Sequence, residues 1–380
     1  LSQRLFRYLQ DGDNPDVKFH VPVFLRVGTK QGTVNKTVLL TDQELRLPLP
    51  EDCDWVVANA GGHGFYRVRY SRELRSAIQQ GLQSYLLAVE RFNLVNDTWA
   101  TTQAGLTSLT DYLDLIDLLR EETDINVWTT VILSSHYLHR ILDEAPDRSF
   151  QVRIRAVFNQ GLERLTWSPR EGETELERQL RGDLINALGT VGEDKDCQRR
   201  ARELYAQYEK DPISVERNLV PALVSIVAHT GSDTDYEKFY ARFKNAQTPQ
   251  EETRYLFALG AFRQPELIDR ALRMTISGEV RTQNAPYLMR GILLNKEARE
   301  KAWSFMKEHW NEMLHKYPDN SIPRMCEGIV GLVTPELEAD AREFFARHPV
   351  KQGAKQMEQH LERLRIAVAC KERWKDLLRP

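Results

Sequence analysis

The sequence predicts a mainly α fold, an α-α superhelix of the HEAT/armadillo kind, preceded by a small antiparallel β-sandwich. Three observations lead there. Residues 18 to 70 alternate in polarity with a period of two, between turns that carry Gly and Pro. From Ser71 onward the apolar residues recur at helical spacing, in segments of about ten to twenty residues. The connectors between these segments, such as "GEDKD", "GSDTD", "NAQTPQ" and "RQPE", are short and carry helix stop and start residues. Two domains are expected: a β-sandwich at 1–70, incomplete at its N-terminus, and a helical solenoid at 71–380.

The strands come first. "KFHVPVFLRV" places Phe19, Val21, Val23 and Leu25 on one side, and Pro22 suggests an edge position. "TVNKTVLLT" follows a turn at Gly28 and Gly32, and "ELRLPLP" puts Leu45, Leu47 and Leu49 on one face. "DWVVAN" and "GFYRVRY" are the last two, joined through Gly61, Gly62 and Gly64. About five short strands make a thin core. Ser71 then caps a helix, "SRELRSAIQQGLQSYLLAVERF", in which Leu74, Ile78, Leu82 and Leu86 repeat at four-residue spacing. Further helices are expected at 92–104, 107–120, 124–144, 149–166, 174–190, 194–209, 213–229 and 233–245. Beyond those come 249–261, 264–275, 283–294, 296–316, 321–331, 335–347 and 354–378. Strict repeats are absent. Short amphipathic helices joined by tight turns still bury their faces only against neighbours, which favours stacked pairs and a concave ligand surface.

Composition narrows the function. Of 380 residues, 41% are hydrophobic and 28% charged, as in a soluble globular chain, and a net charge of −3 argues against a nucleic-acid partner. No apolar run approaches the ~20 residues of a membrane span, and "LSQRLFRYLQDGDNPD" lacks the apolar centre of a signal peptide. Cys53, Cys197, Cys326 and Cys370 are far apart, without a CxxC pair, and read as isolated buried thiols. No membrane partner and a cytoplasmic location are expected. The chain starts at Leu1 without an initiator Met, as a piece of a longer protein would.

No complete active site can be assembled. His136 and His139 in "SSHYLHR" stand three apart on a helix, yet zinc needs a third ligand and usually a base nearby, and HExxH is absent. "EHWNEMLH", Glu308 to His315, has the wrong spacing and order. Both groups read as surface or packed histidines. GxSxG, GxxxxGK[ST] and a helix-opening GxGxxG are missing. The charges of "REGETELERQLRGD" read as a solvated helix face, and the tryptophans as core or groove packing. The residues alone describe a non-catalytic scaffold with no catalytic, cofactor-binding or metal-binding residue.

Several stretches nevertheless carry a pattern. "LSQRLF" is similar to L-x-Q-x-R-F, and "FHVPVFLRV" to W-x-[IV]-P-[IVL], with Phe19 in place of Trp. "WVVANAGGHGFYRVRYS" fits W-x-x-x-N-x-x-x-x-G-[YF]-[YF]-R-V-x-Y through Trp55, Asn59, Gly64, Tyr66, Arg67, Val68 and Tyr70. "RFNLVNDTWATTQAG" follows with Arg91, Leu94, Asp97 and Gly105, then "LLREETDINVW", "RQLRGDLINALGTVGEDKDC", "VRTQNA" and "KAWSFMKEHWNEM". In this order they resemble the C-terminal region of the zinc-dependent aminopeptidase N family, which includes the puromycin-sensitive and endoplasmic-reticulum aminopeptidases.

The resemblance implies a β-sandwich and a helical bowl that cap a zinc-bearing catalytic domain and enclose a peptide. It implies a parent enzyme that removes N-terminal residues with a zinc-activated water and a carboxylate base. Zinc and base belong to the catalytic domain, so this chain alone is expected to be inactive, with that domain and the peptide substrate as its partners. His139 and Arg140 fall where some members bind the substrate's C-terminal carboxylate with an aromatic–basic pair, His139 departing from the aromatic. Alternatively Arg140 is a surface charge beside Asp143 and Glu144. The competing function is a free-standing helical-repeat module that binds a partner protein.

Overall fold

The computed structural model describes residues 1–9, 17–142 and 144–375, and for 144–148 the backbone alone. The chain divides into two compact units, Leu1–Ser134 and Ser135–Pro380. The protein is mainly α, with a small antiparallel sheet near its N-terminus.

In the first unit β1 (Val21–Thr29), β2 (Gly32–Leu40) and β3 (Cys53–Ala58) form one sheet of order β2-β1-β3. Both pairings are antiparallel, with Val23 opposite Val38 and Leu25 opposite both Lys36 and Ala58. Val23, Leu25, Val27, Leu40 and Val56 make its core, against which Leu45 and Leu47 pack. The alternating pattern predicts five strands, and three form among the described residues. Of the face expected at Leu45, Leu47 and Leu49, the first two pack on the sheet and Leu49 is exposed, and the stretch adds only a bridge at Glu44, because Pro48 and Pro50 have no N–H to donate. Residues 64–70 form no strand, bending at 64–66, and pair with side chains instead. The Val68 amide donates to Asp97 Oδ2 at 2.8 Å, and the Tyr70 hydroxyl meets Ala58 N at 2.9 Å.

Pro22 is on the central strand, not an edge strand. It is tolerated because β3 pairs with β1 only from Leu25 to Thr29, so Pro22 has a neighbour on one side alone. Gly28 is likewise inside β1 rather than in a turn. A Cβ there would stand 2.0 Å from the Trp55 indole, which stacks on Tyr85 at 4.6 Å.

The helix expected from Ser71 is three. Ser71 caps α1 (Arg72–Gln79), the chain breaks around Gly81, and α2 (Leu82–Tyr85) precedes α3 (Ala88–Gln103). α4 (Leu109–Ile116) and α5 (Ile125–Ile141) follow.

The second unit continues with α6 (Glu144–Leu165), α7 (Glu175–Thr190), α8 (Lys195–Lys210), α9 (Val220–His229), α10 (Asp233–Lys244) and α11 (Pro249–Leu259). Next come α12 (Pro265–Ile276), α13 (Ala285–Leu294), α14 (Arg299–Glu308), α15 (Trp310–Lys316), α16 (Ile322–Cys326), α17 (Pro335–Arg347) and α18 (Ala354–Trp374). α7, α9, α11 and α13 pack on one another in succession, and α8, α10 and α12 each pair with the member that follows. This is the stacked-pair arrangement that short amphipathic helices require. Three expected helices are shortened or split. Asp211 and Pro212 open a 3-10 turn before α9, His309 separates α14 from α15, and 321–331 is α16 flanked by 3-10 turns. Residues 376–378, expected to end α18, lie outside the described residues.

Candidate functional site

His139 and Arg140 sit in the last turn of α5, both half-buried. The end of this helix needs donors for its last carbonyls. Arg299 Nη1 donates to Arg140 O at 3.0 Å and to Gly331 O at 3.1 Å, and Lys296 Nζ donates to Leu142 O at 2.8 Å. Two cations from the start of α14 and the residues before it thus cap α5.

The Arg140 guanidinium carbon lies 5.5 Å from the centre of the Tyr137 ring. Its Nε is buried without a hydrogen-bond partner. Burial and the neighbouring Arg299 pull its pKa down, while the Tyr137 phenol opposes them. Asp143, the expected surface neighbour, lies outside the described residues, as does the Glu144 side chain.

More basic side chains gather here. Burial, with His139, Arg140 and His229 nearby, pushes His136 down to about 4, so it is neutral at pH 7. His229 Nε2 meets Glu193 Oε1 at 2.6 Å, and Arg263 Nη1 donates to the same oxygen at 3.1 Å. Gln198 donates to Glu193 Oε2 at 2.9 Å. Its partners hold the Glu193 carboxyl well below the usual range against the opposing effect of burial. That carboxylate is already committed, so the charge at this corner available to an anion is that of Arg140, with the neutral His136 imidazole beside it.

The corner does not suit a metal. Among the described residues no group of three or more His, Cys, Asp or Glu side chains is placed to hold one. His309 Nδ1 lies 3.3 Å from Glu312 Oε2, an ordinary pair one helical turn apart. None of the four cysteines is in a disulfide; Cys197, Cys326 and Cys370 are buried, and burial raises the Cys197 thiol to about 12 and the Cys370 thiol to about 11.

The motif residues of the first unit are structural. Arg91 Nε and Nη2 donate to the two Glu122 oxygens at 2.6 and 3.0 Å, and Nη1 donates to Leu86 O at 2.8 Å. Glu122 Oε1 also accepts from Thr123 N and Asp124 N, and its backbone oxygen accepts from Trp128 Nε1. In the second unit the charged run at 170–183 is not all solvated, contrary to the face read from its spacing. Arg181 is fully buried, pairs with Glu173, and donates to Leu165 O at 2.9 Å and Thr166 O at 3.0 Å. The end of α6 leaves carbonyls that only a buried donor reaches.

Sequence reading missed two cavities. One of about 360 Å³ is bordered by Asn159, Glu163, Trp167 and Arg200, with Arg200 4.6 Å over the indole. The other, of about 230 Å³, lies along α7 and the start of α9 beside Gln179, Asp183, Asn186, Asn218 and Pro221. Only the four-residue step from Gln179 to Asp183 and the three to Asn186 signal it in the sequence.

The architecture and the site define a helical-repeat scaffold whose described residues supply cationic and amide groups rather than a metal centre. The chain belongs to the ERAP1-like C-terminal domain family, whose profile matches residues 55–366. The match corresponds to the C-terminal region of M1-family aminopeptidases. The chain is similar to aminopeptidase M1 of Arabidopsis thaliana, 26% identical over 392 residues, covering 95% of this chain and 43% of the relative. Aminopeptidase M1-B of Oryza sativa subsp. japonica is 28% identical over 341 residues, 87% of this chain and 38% of that one. The alanine/arginine aminopeptidase of Saccharomyces cerevisiae is 26% identical over 370 residues, 94% and 42%. The chain thus spans less than half the length of these relatives. No helix among the described residues is long and apolar enough to cross a membrane.

Proposed function

We propose that this chain is the non-catalytic C-terminal portion of a zinc metallo-aminopeptidase, which caps the catalytic domain and encloses the peptide while the parent enzyme removes N-terminal residues. The observation that carries this reading is the family match over 55–366 in a chain that spans less than half of relatives named as aminopeptidases. The residues described here do not fit a zinc ion, so the metal and its water are assigned to the remainder of the parent. The domains are a small β domain at 1–70, whose described strands form a single sheet, and a helical domain at 71–380, and the location is cytoplasmic. No observation favours the free-standing interaction module.

Within the enclosure, Arg140 and His139 bind the substrate's C-terminal carboxylate. The supporting feature is the buried, unpartnered Arg140 Nε beside the Arg299 cation. A guanidinium fork can engage both oxygens of a carboxylate, and partial burial strengthens the attraction.

Two measurements test this. The chain alone, supplied with zinc, is expected to leave alanine 4-nitroanilide uncleaved; chelator-sensitive turnover overturns the non-catalytic reading. In a titration, a nonapeptide with a free C-terminus is expected to bind about tenfold more tightly than its C-terminal amide, a difference of about 1.4 kcal/mol. That preference is expected to disappear in Arg140→Gln. Equal binding of the two peptides overturns the role of Arg140 and leaves family membership untouched.

A further inference from the structure

We propose that the cavity between α7 and α9 binds a primary alkylammonium group, the chemistry of a lysine side chain on a bound peptide. This goes beyond the enclosure reading and does not depend on it. Gln179, Asp183 and Asn186 lie along one stripe of α7, and Asn218, Pro221 and Ala222 face them across about 230 Å³. Gly182 lies within that stripe. A Cβ on it would stand 2.6 Å from Asn218 O, so α7 and the segment leading into α9 approach at backbone distance. The cavity is therefore set by main-chain packing rather than by a mobile side chain.

The cavity has acceptors without a cation. Asp183 is half-buried, and its carboxyl pKa is raised by burial alone, no charged neighbour entering. Asn186 Oδ1 is buried with no hydrogen-bond partner. Asn218 spends an Nδ2 proton on Glu175 Oε1 at 2.8 Å, which fixes the amide. Buried acceptors left unpaired are costly, so they favour a ligand that brings donors. The Pro221 ring and Ala222 supply an apolar wall. An ammonium has three donors and no acceptor, and its alkyl stem suits that wall. A hard divalent cation is a poorer match, since it asks for six or more oxygens and more than one carboxylate.

The test uses the 380-residue chain and two small probes, N-acetyl-lysine methylamide and its norleucine counterpart, followed by saturation-transfer NMR. The lysine probe is expected to bind saturably in the millimolar range and the norleucine probe at least tenfold more weakly. Asp183→Asn is expected to weaken the lysine probe at least fivefold. Asn186→Leu keeps the branched shape but replaces the unpaired oxygen with a methyl group, and is expected to abolish binding in a chain whose circular dichroism is unchanged. Equal binding of the two probes, lysine binding unaffected by both variants, or no saturable lysine binding up to about 50 mM each overturns the proposal.

Discussion

Arg91 and Glu122, 31 residues apart, form a two-pronged pair that is almost fully withdrawn from water. The carboxylate is fully partnered, by the guanidinium and by the Thr123 and Asp124 amides, and these hold its pKa below the usual range despite burial. Replacing one partner strands the other. Glu122→Ala is expected to cost about 3–5 kcal/mol in urea unfolding, and a loss under about 1 kcal/mol would show the pair to be dispensable. His136 gives a pH dependence. Its folded pKa of about 4 lies below its ordinary 6.5, so the unfolded chain takes up the proton first. Stability is full above about pH 6.5 and falls as pH drops towards 4, by about 2–3 kcal/mol. Asp97, pushed up to about 6 by burial, acts with the opposite sign between 6 and 3.8. The informative quantity is therefore the difference between His136→Gln and the parent chain, which is expected to lose the His136 slope between pH 7 and 4.5. Identical slopes would refute the assignment.

Among the elements, α7 bears most on the cavity. Its N-terminus is closed by a capping box in which Thr174 accepts from Glu177 N and Glu177 reaches back to Thr174 N at 2.9 Å. Thr174→Ala is expected to cost about 1 kcal/mol. Gly182→Ala puts a methyl against Asn218 O, a main-chain atom that cannot swing aside, and is expected to cost about 1–3 kcal/mol. Thermal midpoints check both. A Gly182→Ala chain as stable as its parent would mean that α7 and α9 shift apart freely.

Over the whole molecule, each of the two compact units has its own buried core, and the family match extends across both. Apolar burial in both units is therefore the main stabilising contribution that the described residues show. Treating the chain with a chelator is expected to leave its thermal midpoint within about 1 °C, against the several degrees that losing a stabilising ligand produces. A larger drop would reveal a metal that the described residues do not provide for.

The sequence by itself determined the helical periodicity, the short connectors and the order of motifs, because each is a local property. Ser71 as an N-cap, the 335–347 helix and the apolar face at Val23 and Leu25 all need only neighbours in the chain. It did not decide which extended segments become strands. "GFYRVRY" alternates like one, but its Val68 amide goes to Asp97, on a helix 29 residues away. Nor did it show that Arg181, in a run of charges, would be buried on carbonyls at the end of α6. The cavity at Asp183 and Asn186 was equally hidden, because it exists only where the Gly182 backbone meets Asn218. Those outcomes depend on pairing between distant residues, which only the tertiary structure decides, since a buried polar group takes whichever partner the packing brings within reach.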